Sequence, residues 1–408
     1  MTKKHCEHCW PTRRKGHFLL HFGYYCERFF SAITRPFGFL KRKKSLNFQD
    51  YLWGLFLEFF ALFGIVKFLD NPDESKIYNR SLIFFNEAKS RGLDIKSIMV
   101  LGKQMSEFRL CYEKKRYYFE GIPLTIIGKD RLEMDDKDYC KKILEKNDLP
   151  IAKGDCFTSK SKALDFGSEL GFPLVVKPFD GSLSHHVTCP INSVEQLEKA
   201  IDVAKIYTPA FIVEKYIEGK LFRASVIGRK HLFVCQKDIA NVVGDGQATI
   251  QALINQKNAD VKRGDTGQCD FTLHKIPVND VLLKNLENQG LELGLMPQLN
   301  QKIYLQNKFV LSHGCDIIDH SEATHIKNNE LFLKVAKIFK SDLVGIDFIC
   351  SDISQSHEEQ SCAILETNSL PYIDMHQVPS HGEAQPVARV AWDVVLGRLR
   401  EVNRSKSG

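Results

Sequence analysis

The chain has 408 residues, 43% of them hydrophobic and 26% charged, and a formal net charge of +6. That balance excludes a disordered or fibrous polymer and leaves room for two or three domains with a sizeable core. Part of the positive excess is one block, Lys41 to Lys44, so the charge gives no ground for nucleic-acid binding, and none is expected. The 12 cysteines are scattered, and the start of the chain carries no signal-peptide pattern. They are read as reduced, mostly buried thiols of a cytoplasmic protein.

Residues 1–72 form an aromatic-rich region expected to be helical. Residues 51–66 are apolar nearly all round a helix, with Glu58 in the middle. Such a helix is buried in protein or in lipid. It is shorter than a bilayer span needs, and a central Glu is costly there. Packing on the body of the protein is one reading. Membrane-surface contact through the aromatic run 18–40 and the basic block is the other. Cys6 and Cys9, followed by His17 and His21, offer four candidate tetrahedral zinc ligands. The gap between the two pairs is shorter than in the usual finger, and idle histidines near a chain start are the plain alternative.

Asn71-Pro72-Asp73 is a helix-start signal. Residues 73–128 read as a small α/β unit: a helix to about Arg91, then strands at 97–101, 108–112 and 116–119. A third region, 129–398, follows, with a tail at 399–408. Asp135-Asp136-Lys137 opens a helix over 136–147, with acidic residues where the helix dipole favours them. A second helix starts on a serine and runs over 161–170. Residues 173–178 read as a buried strand carrying Lys177, followed by a stretch holding Ser182, Ser184, His185 and His186. A lysine at a strand end beside small hydroxylated residues suits a polyphosphate. An exposed turn is the bland alternative, and no Walker A pattern is present.

A strand over 210–214 runs into Lys215, Tyr216, Ile217 and Glu218. Backbone groups there can read an adenine edge. Strands at 222–227, with Arg223, and 231–237 make a meander, followed by a turn at 244–246 and a helix over 248–257. Two apolar runs, 344–350 and 363–368, each carry an acid, Asp347 and Glu366. Glu366 and Asn368 are two apart and share a strand face. Were the runs to pair, Asp347, Glu366 and Asn368 would form an all-oxygen cluster suited to Mg2+. A hairpin with acids on its wet face is equally compatible with the spacing.

The ordered set Asp136-Lys137, Pro173–Pro178, Val213–Gly219, Arg223, Val242–Gly246, Gly345–Asp347 and Leu365–Pro371 resembles the ATP-grasp ligases. It is similar in particular to the ligase module shared by cyanophycin synthetases and bifunctional glutathione synthetases. Leu311–Asp319 and Met375–Gly382 add to that likeness. The resemblance implies a mixed α/β (α+β) ATP-grasp fold, two α/β subdomains clasping a nucleotide. It implies an ADP-forming carboxylate–amine ligase that makes an amide through an acylphosphate, on an amino acid or small peptide. By position, Lys137, Lys177, Ser182 and Ser184 would contact phosphates, and Glu214, Lys215, Tyr216, Ile217 and Glu218 would line the nucleotide pocket. Asp347, Glu366 and Asn368 would hold Mg2+, two ions, with Mn2+ as a substitute. Arg223 and Lys177 would be the catalytic cations. The partners would be a small-molecule carboxylate and amine, and a homodimer is admitted. Leu221 and His185-His186 depart from the pattern. They motivate an alternative: a catalytically reduced ATP-binding module, regulatory or membrane-docked. Residues 260–280, with Arg263, are a candidate for choosing the substrate.

Overall fold

The computed structural model describes residues 6, 9, 17–34, 46–127, 134–179 and 185–407. Helix α1 is Phe18–Thr34 and α2 is Leu46–Leu62. The apolar run expected as one helix to residue 66 breaks earlier. Gly64 takes a left-handed φ of 72°, and strand β1, Val66–Leu69, follows. Glycine adopts that conformation without the Cβ clash that other residues meet. After α3 (Asn79–Ser90) come β2 (Asp94–Val100), β3 (Lys103–Tyr112) and β4 (Lys115–Glu120). They complete an antiparallel meander in the order β1-β2-β3-β4. The unit therefore draws its edge strand from before residue 73, earlier than the sequence boundary.

Helix α2 packs Leu57 against Val66 and Ile98. Glu58 is satisfied by protein: it accepts from Tyr118 at 2.6 Å and from Arg109 at 3.0 Å, with Arg116 at 3.2 Å. This is the packed reading of the segment. Phe56 and Phe59 of α2, and Phe63 just past its end, are exposed, while half-exposed Trp53 donates its indole N–H to Glu107 at 3.3 Å. Among the described residues no helix is long and apolar enough to cross a membrane.

Helix α4, Lys137–Lys146, leads to a four-stranded antiparallel sheet. Its strands are β5 (Gly154–Phe157), β6 (Leu174–Pro178), β7 (Thr188–Ile191) and β8 (Phe211–Lys215), in the order β5-β8-β6-β7. Helices α5 (Lys160–Leu170) and α6 (Val194–Tyr207) cover it through Ala163, Leu197 and Ile201. Ser159, rather than Ser161, caps α5. Strands β9 (Lys220–Ile227) and β10 (His231–Asp238) then form a hairpin.

A small subdomain follows: β11 (Asn241–Val243), α7 (Ile250–Asn258), β12 (Arg263–Gly264), β13 (Leu273–His274), α8 (Asp280–Glu287) and β14 (Lys302–Tyr304). The chain returns through β15 (Asp316–Asp319), α9 (Ile326–Ile338), β16 (Leu343–Cys350) and β17 (Cys362–Asn368). The central antiparallel sheet has the order β15-β10-β9-β16-β17. Phe222, Ala224, Val344, Ile346 and Phe348 pack under α9 against Leu331, Phe332 and Val335. Strand alternation turns Arg223, Ser225, Gly345 and Asp347 to the other face.

After the short α10 (Asp374–Gln377), α11 runs as one helix over Val387–Ser407, through the expected tail. It packs on the first unit: Trp392 is fully buried and donates to the Phe84 carbonyl at 2.9 Å. The first and last parts of the chain thus share a core, which no local sequence signal marks.

Candidate active site

The register of the central sheet places five side chains in one row. Glu366 stands opposite Asp347, Asp347 opposite Arg223, Arg223 opposite Cys235, and Cys235 opposite Asp319. Directly opposed residues share a face. The pairing slips between Asp347 and Phe348; a bulge of this kind re-aims side chains. Asn368 lies two residues beyond Glu366, with its Nδ2 3.4 Å from Glu366 Oε1. The two apolar runs do pair, and the expected oxygen triad forms one patch.

Asp347 is buried, whereas Glu366 and Asn368 are half-buried. Arg223 Nε donates to Asp347 Oδ1 at 2.6 Å and Lys237 Nζ to Oδ2 at 3.1 Å. Burial pushes the Asp347 carboxyl up. Arg223 and Lys237 outweigh it and hold the group well below the usual carboxylate range. Arg223 Nη1 is buried with no hydrogen-bond partner. Gly345 makes room for it: a Cβ there would lie 2.8 Å from Arg223 Nη1 and would collide with Pro371. Sequence reasoning missed Lys237. Its strand was visible, but the neighbour that brings it to Asp347 was not.

A second group sits on the smaller sheet. Lys177 Nζ lies 2.5 Å from Glu214 Oε1, and Lys141 Nζ lies 3.8 Å from Oε2. Burial lowers the Lys141 ammonium; Glu214 opposes that and Lys177 adds to it. Lys141 Nζ makes no hydrogen bond. It too was missed, though it stands one turn after Lys137 and so on the same helix face. Lys215 departs from expectation. Its ammonium is spent on the carbonyls of Gly171 (3.1 Å) and Phe172 (2.8 Å), so its side chain braces the strand. The N–H groups of Lys215 and Tyr216 go to the Lys153 and Pro173 carbonyls. Ile217 follows half-buried, and Glu218 is exposed. Ser182 and Ser184 lie outside the described residues.

Helix α4 joins the two groups. Asp135 accepts from Ser369 N at 2.9 Å and Ser369 Oγ at 2.6 Å, and Thr367 Oγ1 donates to the Met134 carbonyl at 3.1 Å. The helix start, with half-buried Lys137, is therefore pinned to the strand end that carries Glu366 and Asn368. One turn on, about 6 Å along the axis, Lys141 reaches the Glu214–Lys177 pair. Clustered oxygens with the unmet Arg223 Nη1 donor beside them, and the unmet Lys141 donor one helix turn away, suit a metal-loaded triphosphate.

A separate cleft of about 660 Å³ is lined by Asp238, Lys257, Arg263, Lys302, Asp316 and His381, among others. Asp238 and Asp316 oppose each other one residue out of phase with Lys237, so they face away from the row. Arg263 is fixed in place by Asp316 and by the His274 carbonyl, which makes it a rigid wall of that cleft.

Residues 143–247 match the protein family described as D-ala D-ala ligase C-terminus. A cyanophycin synthetase of Trichormus variabilis is 32% identical over 264 residues, 64% of this chain and 29% of that protein. The glutathione biosynthesis bifunctional protein GshAB of Streptococcus mutans is 31% identical over 367 residues, 87% of this chain and 46% of that one. The chain thus spans less than half the length of either relative. A crystal structure of a bifunctional glutathione synthetase from Pasteurella multocida superposes with a TM-score of 0.63 at 23% identity, covering 80% of this chain and 44% of that one. With its antiparallel sheets and these relatives, the chain has the ATP-grasp fold, and residues 143–247 carry the D-ala D-ala ligase C-terminal domain of that fold.

Proposed function

We propose that the protein is an ADP-forming carboxylate–amine ligase acting on an amino acid or small peptide. A substrate carboxylate takes the γ-phosphoryl group of ATP, ADP leaves, and an amine displaces phosphate to form the amide. The observation that carries this reading is α4, which ties the oxygen triad at one end to the Lys177–Glu214–Lys141 cluster one turn later.

ATP-grasp ligases use ATP and Mg2+, and bound Mg2+ supplies charge neutralisation on the phosphates. Asp347, Glu366 and Asn368 would hold it, as two ions, with Mn2+ able to replace them. Lys137, Lys141 and Lys177 screen the triphosphate, with Ser182 and Ser184 adding hydroxyls, so that an anionic carboxylate can approach. Asp347, itself held by Lys237, fixes the Arg223 guanidinium, leaving Nη1 for charge that grows on the transferred phosphoryl group. Glu214, Tyr216 and Ile217 line the adenine and Glu218 meets the ribose. No side-chain nucleophile is required.

The test is ADP release from Mg-ATP against pooled amino acids and dipeptides, with mass spectrometry of the products. Amide formation that needs both a carboxylate and an amine supports the reading. Thermal stabilisation by Mg-ATP with no ADP release across the pools overturns it in favour of a nucleotide-binding module without turnover. The exposed aromatic stripe of α2 is the feature that would dock such a module, or the enzyme, on a membrane; flotation with liposomes measures it.

A further inference from the structure

The candidate zinc set expected from sequence was Cys6, Cys9, His17 and His21. The fold changes its fourth member. His21 Nε2 faces the Ile206 carbonyl at 3.3 Å, and His186, from the start of the β7 segment, comes to the cysteines instead. Cys9 Sγ lies 3.0 Å from His17 Nε2 and 3.3 Å from His186 Nε2, and Cys6 Sγ lies 3.4 Å from His186 Nε2. All four ligand atoms lie within 4.8 Å of one another. Zinc–sulfur and zinc–nitrogen bonds set a sulfur-to-nitrogen edge of about 3.5 Å in a tetrahedron. The three sulfur-to-nitrogen separations, 3.0, 3.3 and 3.4 Å, lie within about half an ångström of that edge.

Three further features suit a closed structural site. Cys9 N–H bonds back to the Cys6 carbonyl at 3.2 Å, which curls the C-x-x-C so that both thiols face one point. His186 Nδ1 lies 2.7 Å from the Val203 carbonyl on α6. That bond puts the ring proton on Nδ1 and leaves the Nε2 lone pair toward the cysteines, as in metal-bound histidines. Cys9 and His186 are almost fully buried, at 0% and 1% exposure, and both thiols are free of disulfides. Two sulfurs and two nitrogens in tetrahedral array favour zinc.

We propose that Cys6, Cys9, His17 and His186 bind one Zn2+ ion that clamps the N-terminal segment, and with it α1, onto the sheet that carries Lys177. Local sequence spacing could not show this, because the fourth ligand lies 177 residues from Cys9. The clamp is independent of the ligase reading, since its test needs no nucleotide.

The untagged full-length chain would be produced in zinc-supplemented medium, dialysed, and analysed for metals. We expect about one zinc per chain, retained in His21→Ala and lost in both Cys9→Ser and His186→Gln. Cobalt reconstitution of the apo-protein should give tetrahedral d–d bands with thiolate charge transfer, absent in the same two variants. Stripping zinc should lower Tm, and restoring it should reverse the loss. Circular dichroism of each variant separates loss of the site from loss of the fold; if Cys9→Ser misfolds, His186→Gln and the cobalt spectrum decide. Zinc that survives both variants, wild-type protein that takes up none on reconstitution, or iron in its place would each overturn the proposal.

Discussion

Asp347 and Glu366 stand opposite each other on neighbouring strands, yet the structure gives them unequal duties. Asp347 is buried and neutralises both Arg223 and Lys237. Removing it leaves two cations in a dry site. Breaking a buried pair this way costs about 3–5 kcal/mol, which at this chain length lowers Tm by about 4–6 °C. Glu366 is half-buried, lies 3.4 Å from Asn368 and adds its charge to the field on Arg223. Glu366→Gln keeps the shape and changes stability by no more than ~0.5 kcal/mol. As a proposed metal ligand it should nevertheless cost ~100-fold or more in ADP release. The assay pairs melting in EDTA, which reads the fold without metal, with ADP release over a Mg2+ titration. Asp347→Ala should fail in both measurements and Glu366→Gln only in the second. Equal melting losses in the two variants, or wild-type turnover in Glu366→Gln, would refute the division of labour and the metal site with it.

Lys141→Met should raise the Kd for ATP about tenfold, worth about 1.4 kcal/mol, with Tm near wild type; unchanged affinity in a titration would remove Lys141 from the site. Gly345→Ala should cost about 1–3 kcal/mol by overpacking against Pro371 and Arg223 and slow turnover, read as a lower urea midpoint and a lower kcat. His376 is fully buried beside Ser225, and burial, with Arg223 nearby, lowers its pKa from 6.5 to about 3. Between those values the unfolded chain binds a proton that the native one does not, so stability falls as pH drops below 6.5, by about 1.4 kcal/mol per unit. His376→Gln should flatten that slope in melts from pH 7.5 to 5. Asp347 acts lower: its contribution is full above the ordinary 3.8 and is lost as pH falls through the lowered native value.

Much of the site was legible before folding because its signals are local. Val-Gly-Ile-Asp347 and Leu-Glu366-Thr-Asn368 are short strands whose alternation puts the acids on one face. Lys177 ends a buried strand, and Asp135-Asp136-Lys137 opens a helix. The ordered set of such pieces identified the ATP-grasp fold, which the comparisons support. Hidden from sequence was every partner that arrives from a distance. Lys237 meets Asp347 across β9, Lys141 meets Glu214 from another element, and Trp392 closes the core of an earlier unit through Phe84, 308 residues before it. The zinc set shows the same limit, since His21 and His186 are alike in sequence and only packing chooses between them. Periodicity and turn chemistry act over a few residues and so are written in the chain. Which strand lies beside which, and which histidine faces a thiol, depends on how apolar faces are buried together, and that is settled only when the whole chain has folded.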